Sequence, residues 1–251
     1  MALTILAEQQ DGLLLLTLNR PDKRNALNTD MYLALTGAFQ QAAQDESVHV
    51  VLLQGQAECF TAGNDLADFM GKSSLEADDP ILQFLHTLAD FPKPVIAAVG
   101  GPAVGIGTTL LLHCDLVYLG DNARLQLPFV ELGLVPEFAS SLLLPRAVGH
   151  LKAAELLLLA EAIDAGEALR LGLANRVVAA DTLLAFAREQ GLKLAAKAPK
   201  ALQKSKALLK QELRQAVHFV IELEARAFSL ALQGEEAQSR IARRLGRPAA
   251  S

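Results

Sequence analysis

The sequence predicts an α/β core followed by a helical C-terminal module, and three observations carry that expectation. Apolar runs of strand length alternate with helical patterns through the first half of the chain. Two of those runs end in loops rich in glycine and other small residues, near 60–66 and 100–107. From Asp181 onward the alternation gives way to long stretches with apolar residues at helical spacing. Strands separated by helices require crossover connections, and hence a largely parallel sheet. The expected division is a core over 1–180 and a helical module over 181–251.

Taken in order, the strand candidates are 4–7, 13–18, 48–53, 95–99 and 115–119, with 125–127 and 175–178 as shorter ones. Helical patterns start near Asn28, Pro80 and Val104. Asn28, followed by Thr29 and Asp30, offers a side-chain acceptor to the unpaired N–H groups of a first turn. The stretch Gly71, Lys72, Ser73 and Ser74, with Glu76, Asp78 and Asp79, reads as the most mobile loop. Beyond Asp181, 181–195 and 199–232 each read as one long helix and 235–245 as a shorter one. No proline falls between Pro199 and Pro248, and Gly234 separates the last two helices.

Composition narrows the function classes. At 251 residues and 51% hydrophobic, the chain has ample material for a sizeable core. A net charge of −5 argues against nucleic acid as a partner. Arg240, Arg243, Arg244 and Arg247 make a local exception near the C-terminus, either a solvated helix face or a contact for phosphates. Cys59 and Cys114 sit in apolar surroundings and read as reduced core thiols of a cytoplasmic protein. Their spacing to the histidines shows no metal pattern, so no metal is expected. Residues 95–112 carry no charge and approach the roughly 20 residues that span a bilayer. Gly100, Gly101, Pro102, Gly105 and Gly107 favour a buried strand–turn–helix there instead, and no membrane association is expected. The first residues lack a basic region ahead of an apolar run, and Ala-Ala-Ser is not the peroxisomal tripeptide.

The glycine-rich strand end near Gly105 is the most informative feature. A strand, a tight turn and a buried helix N-terminus present unpaired backbone N–H groups to negative charge. Gly105-Ile106-Gly107 lacks the third glycine of a dinucleotide fingerprint, since Leu110 stands there. It also lacks the Lys-Ser/Thr of a phosphate loop. A small developing anion such as an enolate oxygen is the better match; the alternative is a turn needed only for close packing. Phe60-Thr61-Ala62-Gly63-Asn64-Asp65-Leu66 provides a second such loop after another apolar strand. Together the two loops offer two N–H donors to one oxygen.

With these paired motifs, the chain resembles the crotonase superfamily, the enoyl-CoA hydratase/isomerase family. The resemblance extends from Leu18-Asn19-Arg20-Pro21 and Arg24-Asn25-Ala26-Leu27 to the basic C-terminal helix. It implies a ββα superhelical core with a C-terminal trimerisation module. It implies an acyl-CoA thioester as substrate, with coenzyme A arriving as part of that substrate and no separate cofactor. The oxyanion donors it implies are the backbone N–H groups of Asn64 and Ile106. Ala62, Asp65, Leu66 and Gly105 flank them, and Lys23, Arg24, Arg243 and Arg244 are the basic groups for the coenzyme A phosphates. A homotrimer or a hexamer follows from the same resemblance.

Which reaction the oxyanion hole serves depends on the acid/base groups. The two glutamates of the family's hydratases fall here at Thr109 and Phe129, so both carboxylates are missing. Hydration needs a group to activate water and another to deliver a proton. Glu137, in Leu134-Val135-Pro136-Glu137-Phe138-Ala139-Ser140-Ser141, instead resembles the single glutamate of peroxisomal-type Δ3,Δ2-enoyl-CoA isomerases. One base between C2 and C4 suffices to move the double bond, and Val135, Phe138 and Leu142 would raise its pKa. The competing reading of Glu137 is a first-turn carboxylate stabilising a helix. Glu131 is either a displaced partner or an exposed side chain. Asp65 is expected to brace its loop, and Asp115 and His113 to be satisfied core groups. The favoured activity is therefore Δ3 to Δ2 isomerisation. A hydratase or other acyl-CoA lyase and a non-catalytic acyl-CoA-binding scaffold are the alternatives.

Overall fold

Buried β-branched and leucine-rich runs build the centre of the molecule. In the computed structural model, which describes residues 3–70, 75 and 78–246, the strands β1 (Ile5–Gln10), β2 (Leu13–Leu18), β3 (Val50–Gln54), β4 (Val95–Val99), β6 (Leu116–Gly120) and β9 (Arg176–Val178) form one sheet in the order β1-β2-β3-β4-β6-β9. Only the β1–β2 hairpin is antiparallel. Every residue of β4 is buried, as expected of a central parallel strand covered on both faces. Edge strand β1 exposes Glu8, Gln9 and Gln10, which discourages further pairing. A small second sheet holds β5 (Pro102–Val104), β7 (Arg124–Gln126) and β8 (Ile163–Asp164). Twice in succession a main-sheet strand is followed by a short strand of the second sheet, β4 by β5 and β6 by β7, the repeat expected of a ββα superhelix.

Helices cover both faces. On one lie α1 (Thr29–Gln44), capped by the Asn28 side chain as the sequence indicates, and α2 (Pro80–Ala89), capped by Asp79, a residue expected in the mobile loop. The buried Tyr32 and Phe39 rings each pack tilted against Phe84, and Phe84 reaches Phe138 at a centroid distance of 6.3 Å. The short α3 (Ile106–Thr109) follows β5 on this side, and α4 (Ser140–Val148), α5 (His150–Leu158) and α6 (Ala165–Arg170) come before β9. On the other face α7 (Leu183–Ala195) buries Leu183, Ala187 and Ala195 against Leu13, Leu52 and Ile96. The boundary drawn at residue 180 therefore separates from the sheet a helix that covers it. The remaining helices are α8 (Pro199–Lys210), α9 (Arg214–Gln233) and α10 (Glu235–Arg244).

Two expected elements differ. The helix expected from Val104 begins at Ile106, because Val104 ends β5 and Gly105, at φ +55°, turns the chain between them. The single helix over 199–232 is two, broken at 211–213. Lys206 of α8 is pinned to Asp115 at 2.8 Å and Lys210 to the His113 carbonyl at 2.7 Å, whereas α9 packs on α2 and α4. Two docking directions need a bend that neither glycine nor proline announces, so tertiary contacts override local preference. The loop expected at 71–74, with Glu76, lies outside the described residues, as do Arg247 and the terminal Ala-Ala-Ser. Among the described residues, no helix is long and apolar enough to cross a membrane.

Candidate active site

The two glycine-containing loops meet edge to edge. Thr61 N–H donates to the Pro102 carbonyl and Val104 N–H to the Thr61 carbonyl, both at 3.1 Å. Thr61 Oγ1 donates to the Asn25 carbonyl at 2.6 Å and accepts from Gly63 N–H at 3.1 Å, fixing the turn before Asn64. Gly63 has φ +92°, and a Cβ there would lie 2.7 Å from the Val104 carbonyl oxygen. Only glycine suits both the conformation and the approach. Leu27 and Asp65 complete the brace through backbone bonds of 2.8 Å on either side of Asn64.

This docking leaves two backbone donors unused. Ile106 opens α3, where a first-turn N–H has no helical acceptor. Asn64 N–H is flanked by paired neighbours but has no acceptor of its own. Among the described residues neither donor is satisfied within the chain.

Glu137 stands against both loops. Its carboxylate is buried, and Thr109 Oγ1 donates to Oε1 at 3.1 Å. The Asn64 side-chain amide lies close enough to favour the charged form of Glu137. Tyr32, buried in α1, donates its hydroxyl to Asn64 Oδ1, which turns the amide N–H₂ towards Glu137. Burial, with the nearby Glu137 and aspartate charges, raises the Tyr32 pKa well above its usual value, so the hydroxyl keeps its proton. Burial also pushes the Glu137 carboxyl up to about 8; the Glu224 charge adds to that, while Thr109 and Asn64 oppose it. A carboxylate held near neutrality in this way suits proton transfer.

The turn carrying Glu137 is unusual. Phe138 and Ala139 both have left-handed backbones, at φ +59° and +53°. Such residues persist where their surroundings over-determine them. Here Ser140 Oγ donates to the Glu137 carbonyl at 2.6 Å, and His113 Nε2 contacts the Phe138 carbonyl at 2.8 Å. Burial lowers the His113 pKa to about 3, so its ring is neutral and carries its proton on Nε2. Glu224 of α9 accepts from the Ala139 and Ser141 N–H groups and from Ser141 Oγ.

The other sequence candidates fall into two groups. Ala62, Asp65, Leu66 and Gly105 lie in the docked loops. Asp65 pairs with Arg20 at 2.7 Å and caps Ala67 N–H, so it braces the loop. Lys23 and Arg24 are exposed on an adjoining turn, tied to the Asn64 loop by Ala62 N–H and the Arg24 carbonyl at 2.9 Å. Arg243 and Arg244 are exposed on α10, which packs against the 130–132 turn. Glu131 is exposed on that turn, and its side chain makes no hydrogen bond or ion pair among the described residues. Phe129 is buried, so neither hydratase position supplies an acid. Asp115 accepts from Val95 N–H at 2.7 Å and pairs with Lys206, a core role. Sequence reasoning missed Tyr32, Thr61 and Glu224; of these only Glu224 leaves a trace, as a carboxylate in the apolar stripe of Val217, Ile221, Ala225 and Phe228. Among the described residues no cluster of three or more histidine, cysteine or acidic groups is arranged for a metal. A cavity of about 870 Å³ between α8, α9 and the end of α2 includes neither Glu137, Asn64 nor Ile106 in its lining.

This α/β core, with two docked glycine loops that leave backbone N–H groups unpaired, fits the crotonase class. Residues 8–244 match the model of the enoyl-CoA hydratase/isomerase family, and the chain belongs to that family of enzymes. It is similar to Escherichia coli 2,3-dehydroadipyl-CoA hydratase, with 38% identity over 92% of this chain and 91% of that protein. It is likewise similar to human enoyl-CoA delta isomerase 2, with 37% identity over 86% of this chain but 57% of that longer protein. The solved structure of Pseudomonas aeruginosa OdaA matches at 46% identity with a TM-score of 0.95, covering 98% of this chain and 100% of that one.

Proposed function

We propose that the protein is an acyl-CoA double-bond isomerase that converts 3-enoyl-CoA to 2-enoyl-CoA, in fatty-acid or related acyl-CoA degradation, with Glu137 as its single base. One observation supports this best: the groups that touch Glu137 belong to the residues and the helix that supply the free N–H donors. Asn64 offers its amide to Glu137 and its backbone N–H to the site. Thr109 lies three residues, about 4.5 Å of helical rise, beyond Ile106 on the same short helix. The Glu137 carboxylate thus enters where the resemblance puts a hydratase glutamate, with the oxyanion donors beside it.

The reaction then follows from charge. Glu137 takes the proton from C2, and the electron pair forms a C1–C2 double bond as the carbonyl oxygen becomes an oxyanion. The Asn64 and Ile106 N–H groups stabilise that oxygen, each by about 3 kcal/mol of barrier. The thioester carbonyl re-forms, the C1–C2 pair shifts to C2–C3, and the C3–C4 pair takes the proton from Glu137 at C4. Glu224 is unsuited to the same task, because its two oxygens are already engaged by three donors.

The likeness to a hydratase over nine-tenths of both chains keeps a second reading, hydration of 2-enoyl-CoA. Thr109 and Phe129 weigh against it. Ultraviolet absorbance separates the two: 3-enoyl-CoA should gain the conjugated thioester band and 2-enoyl-CoA should not lose it. The reverse result makes the protein a hydratase, and no change with either substrate makes it a binding scaffold. For the substrate's phosphates we favour Lys23 and Arg24 from one chain and Arg243 and Arg244 from a neighbouring subunit. A trimer, singly or paired, suits Phe219 (69% exposed), Leu223 and Leu230 on α9 and Leu158 and Leu159 near α5. The free thiols of Cys59 and Cys114 suit the cytoplasm.

A further inference from the structure

We propose that Glu224 on α9 is a positioning residue for the reaction, clamping the left-handed Phe138–Ala139 turn and so setting where the Glu137 carboxylate stands. The inference rests on the reading of Glu137 as the base. A helix N-terminus is normally capped by a Ser, Thr, Asp or Asn side chain at its own start. At α4 that position is Ala139, which has no acceptor, and no local side chain caps the helix. Glu224, 83 to 85 residues further along, supplies the missing acceptor: 2.6 Å to Ala139 N–H, 2.9 Å to Ser141 N–H and 2.5 Å to Ser141 Oγ. The two N–H groups flank the turn immediately after Glu137, and the carboxylate is itself buried.

Three donors on two oxygens call for an ionised acceptor, because a protonated carboxyl would meet one of them with its own O–H. Burial raises the pKa of Glu224 on balance, and its three hydrogen bonds to Ala139 and Ser141 work against that rise and favour the charged form. The groups that face Glu137 are Tyr32 from α1 through Asn64, Asn64 itself, Thr109 from α3 and Glu224 from α9. Of these only Glu224 brings a negative charge, which helps keep the proton on Glu137. Glu224 therefore acts twice, through geometry and through charge, and the two effects can be separated by experiment.

The test compares Glu224→Gln, Ser141→Ala and Glu137→Gln with the parent on 3-enoyl-CoA across pH, with thermal melting of each. In Glu224→Gln the amide keeps one acceptor but turns an N–H₂ towards Ala139 N–H. Turnover should fall about tenfold to hundredfold, the scale of a misplaced catalytic group, with KM within about twofold. The rising limb of the pH profile should move to lower pH, a change that a purely structural cap would not produce. Ser141→Ala keeps the charge, so turnover should fall only a few-fold, with the limb unmoved. Parental turnover and an unmoved limb in folded Glu224→Gln overturn the proposal, as does a turnover loss no larger than the loss of folded protein. Should Glu224→Gln not fold, parental turnover in Ser141→Ala overturns it, and a few-fold loss at parental melting temperature supports it. Turnover above about a tenth in Glu137→Gln would remove the base assignment and this proposal together. Near-zero turnover there supports the base assignment on which the proposal rests.

Discussion

The two docked glycine loops and the Glu137 turn face each other, yet they are held by different means. On the loop side the constraints are backbone contacts between motifs: Thr61 against Pro102 and Ala103, Gly63 against Val104, Leu27 against Asn64. On the other side two left-handed, non-glycine residues carry the carboxylate, and distant side chains secure them, His113 at Phe138 and Glu224 at Ala139 and Ser141. The first side needs particular backbones and, at a donor position such as Ile106, places no demand on the side chain. The second needs particular side chains. Donors that stabilise charge can be built from the main chain alone, whereas a proton carrier needs an adjustable pKa and hence a chosen environment.

The largest effect should come from the proton carrier. Glu137→Gln removes the base while keeping its shape, and isomerisation should fall about a thousandfold with acyl-CoA affinity nearly unchanged. Single-turnover kinetics and equilibrium titration of a non-reactive thioester measure the two.

The same variant should be more stable than the parent in alkali. In the unfolded chain Glu137 ionises near its ordinary value of 4.5, whereas in the folded protein it holds its proton to about 8. Between those values the folded state binds the extra proton, so stability is lost as pH rises, fully so above about pH 8. Glutamine carries no such penalty. Denaturant unfolding should therefore show an advantage for Glu137→Gln on the order of a few kcal/mol near pH 9 and little at pH 4. An equal difference at both values would contradict the buried, protonated carboxyl.

Gly63→Ala tests the loop side. Its methyl meets the Val104 carbonyl, so the loops must part and Asn64 must shift. Turnover should drop about a hundredfold, with Glu137's pH limb unmoved, because the two sides are anchored separately. A moved limb would show that they are coupled.

The mildest expected effect lies farthest from the chemistry. If Arg243 and Arg244 reach the phosphates, replacing both with alanine should raise KM about tenfold for coenzyme A thioesters and leave pantetheine thioesters, which lack the nucleotide, unchanged. Equal losses on both would make them solvated surface residues.

The contrast also explains what could be read from the sequence. Strand runs, the cap at Asn28 and both glycine loops are local statements, so β2, β4, α1, the start of α2 and the two glycine loops were legible, whereas Asp79, expected in a loop, caps α2 instead. Glu137 was legible only through resemblance, since Pro136-Glu137 equally describes a helix start. The break at 211–213 and the partners Tyr32 and Glu224 depend on which surfaces meet, and the local sequence carries little of that. Glu224 left the faint sign of a charge among apolar helix neighbours.

The clamp from α9 also has a bearing on timing. Every residue of the two docked glycine loops and their braces lies before position 127, so that part can be complete while the rest of the chain is still being synthesised. The Glu137 turn has no cap until residue 224 emerges, 83 residues after Ser141. At the roughly 5–20 residues per second of synthesis, that delay lasts on the order of 5–15 seconds. On the proposed assignment, a growing chain would form its N–H donors before Glu137 is fixed, and isomerisation would begin only once α9 has docked.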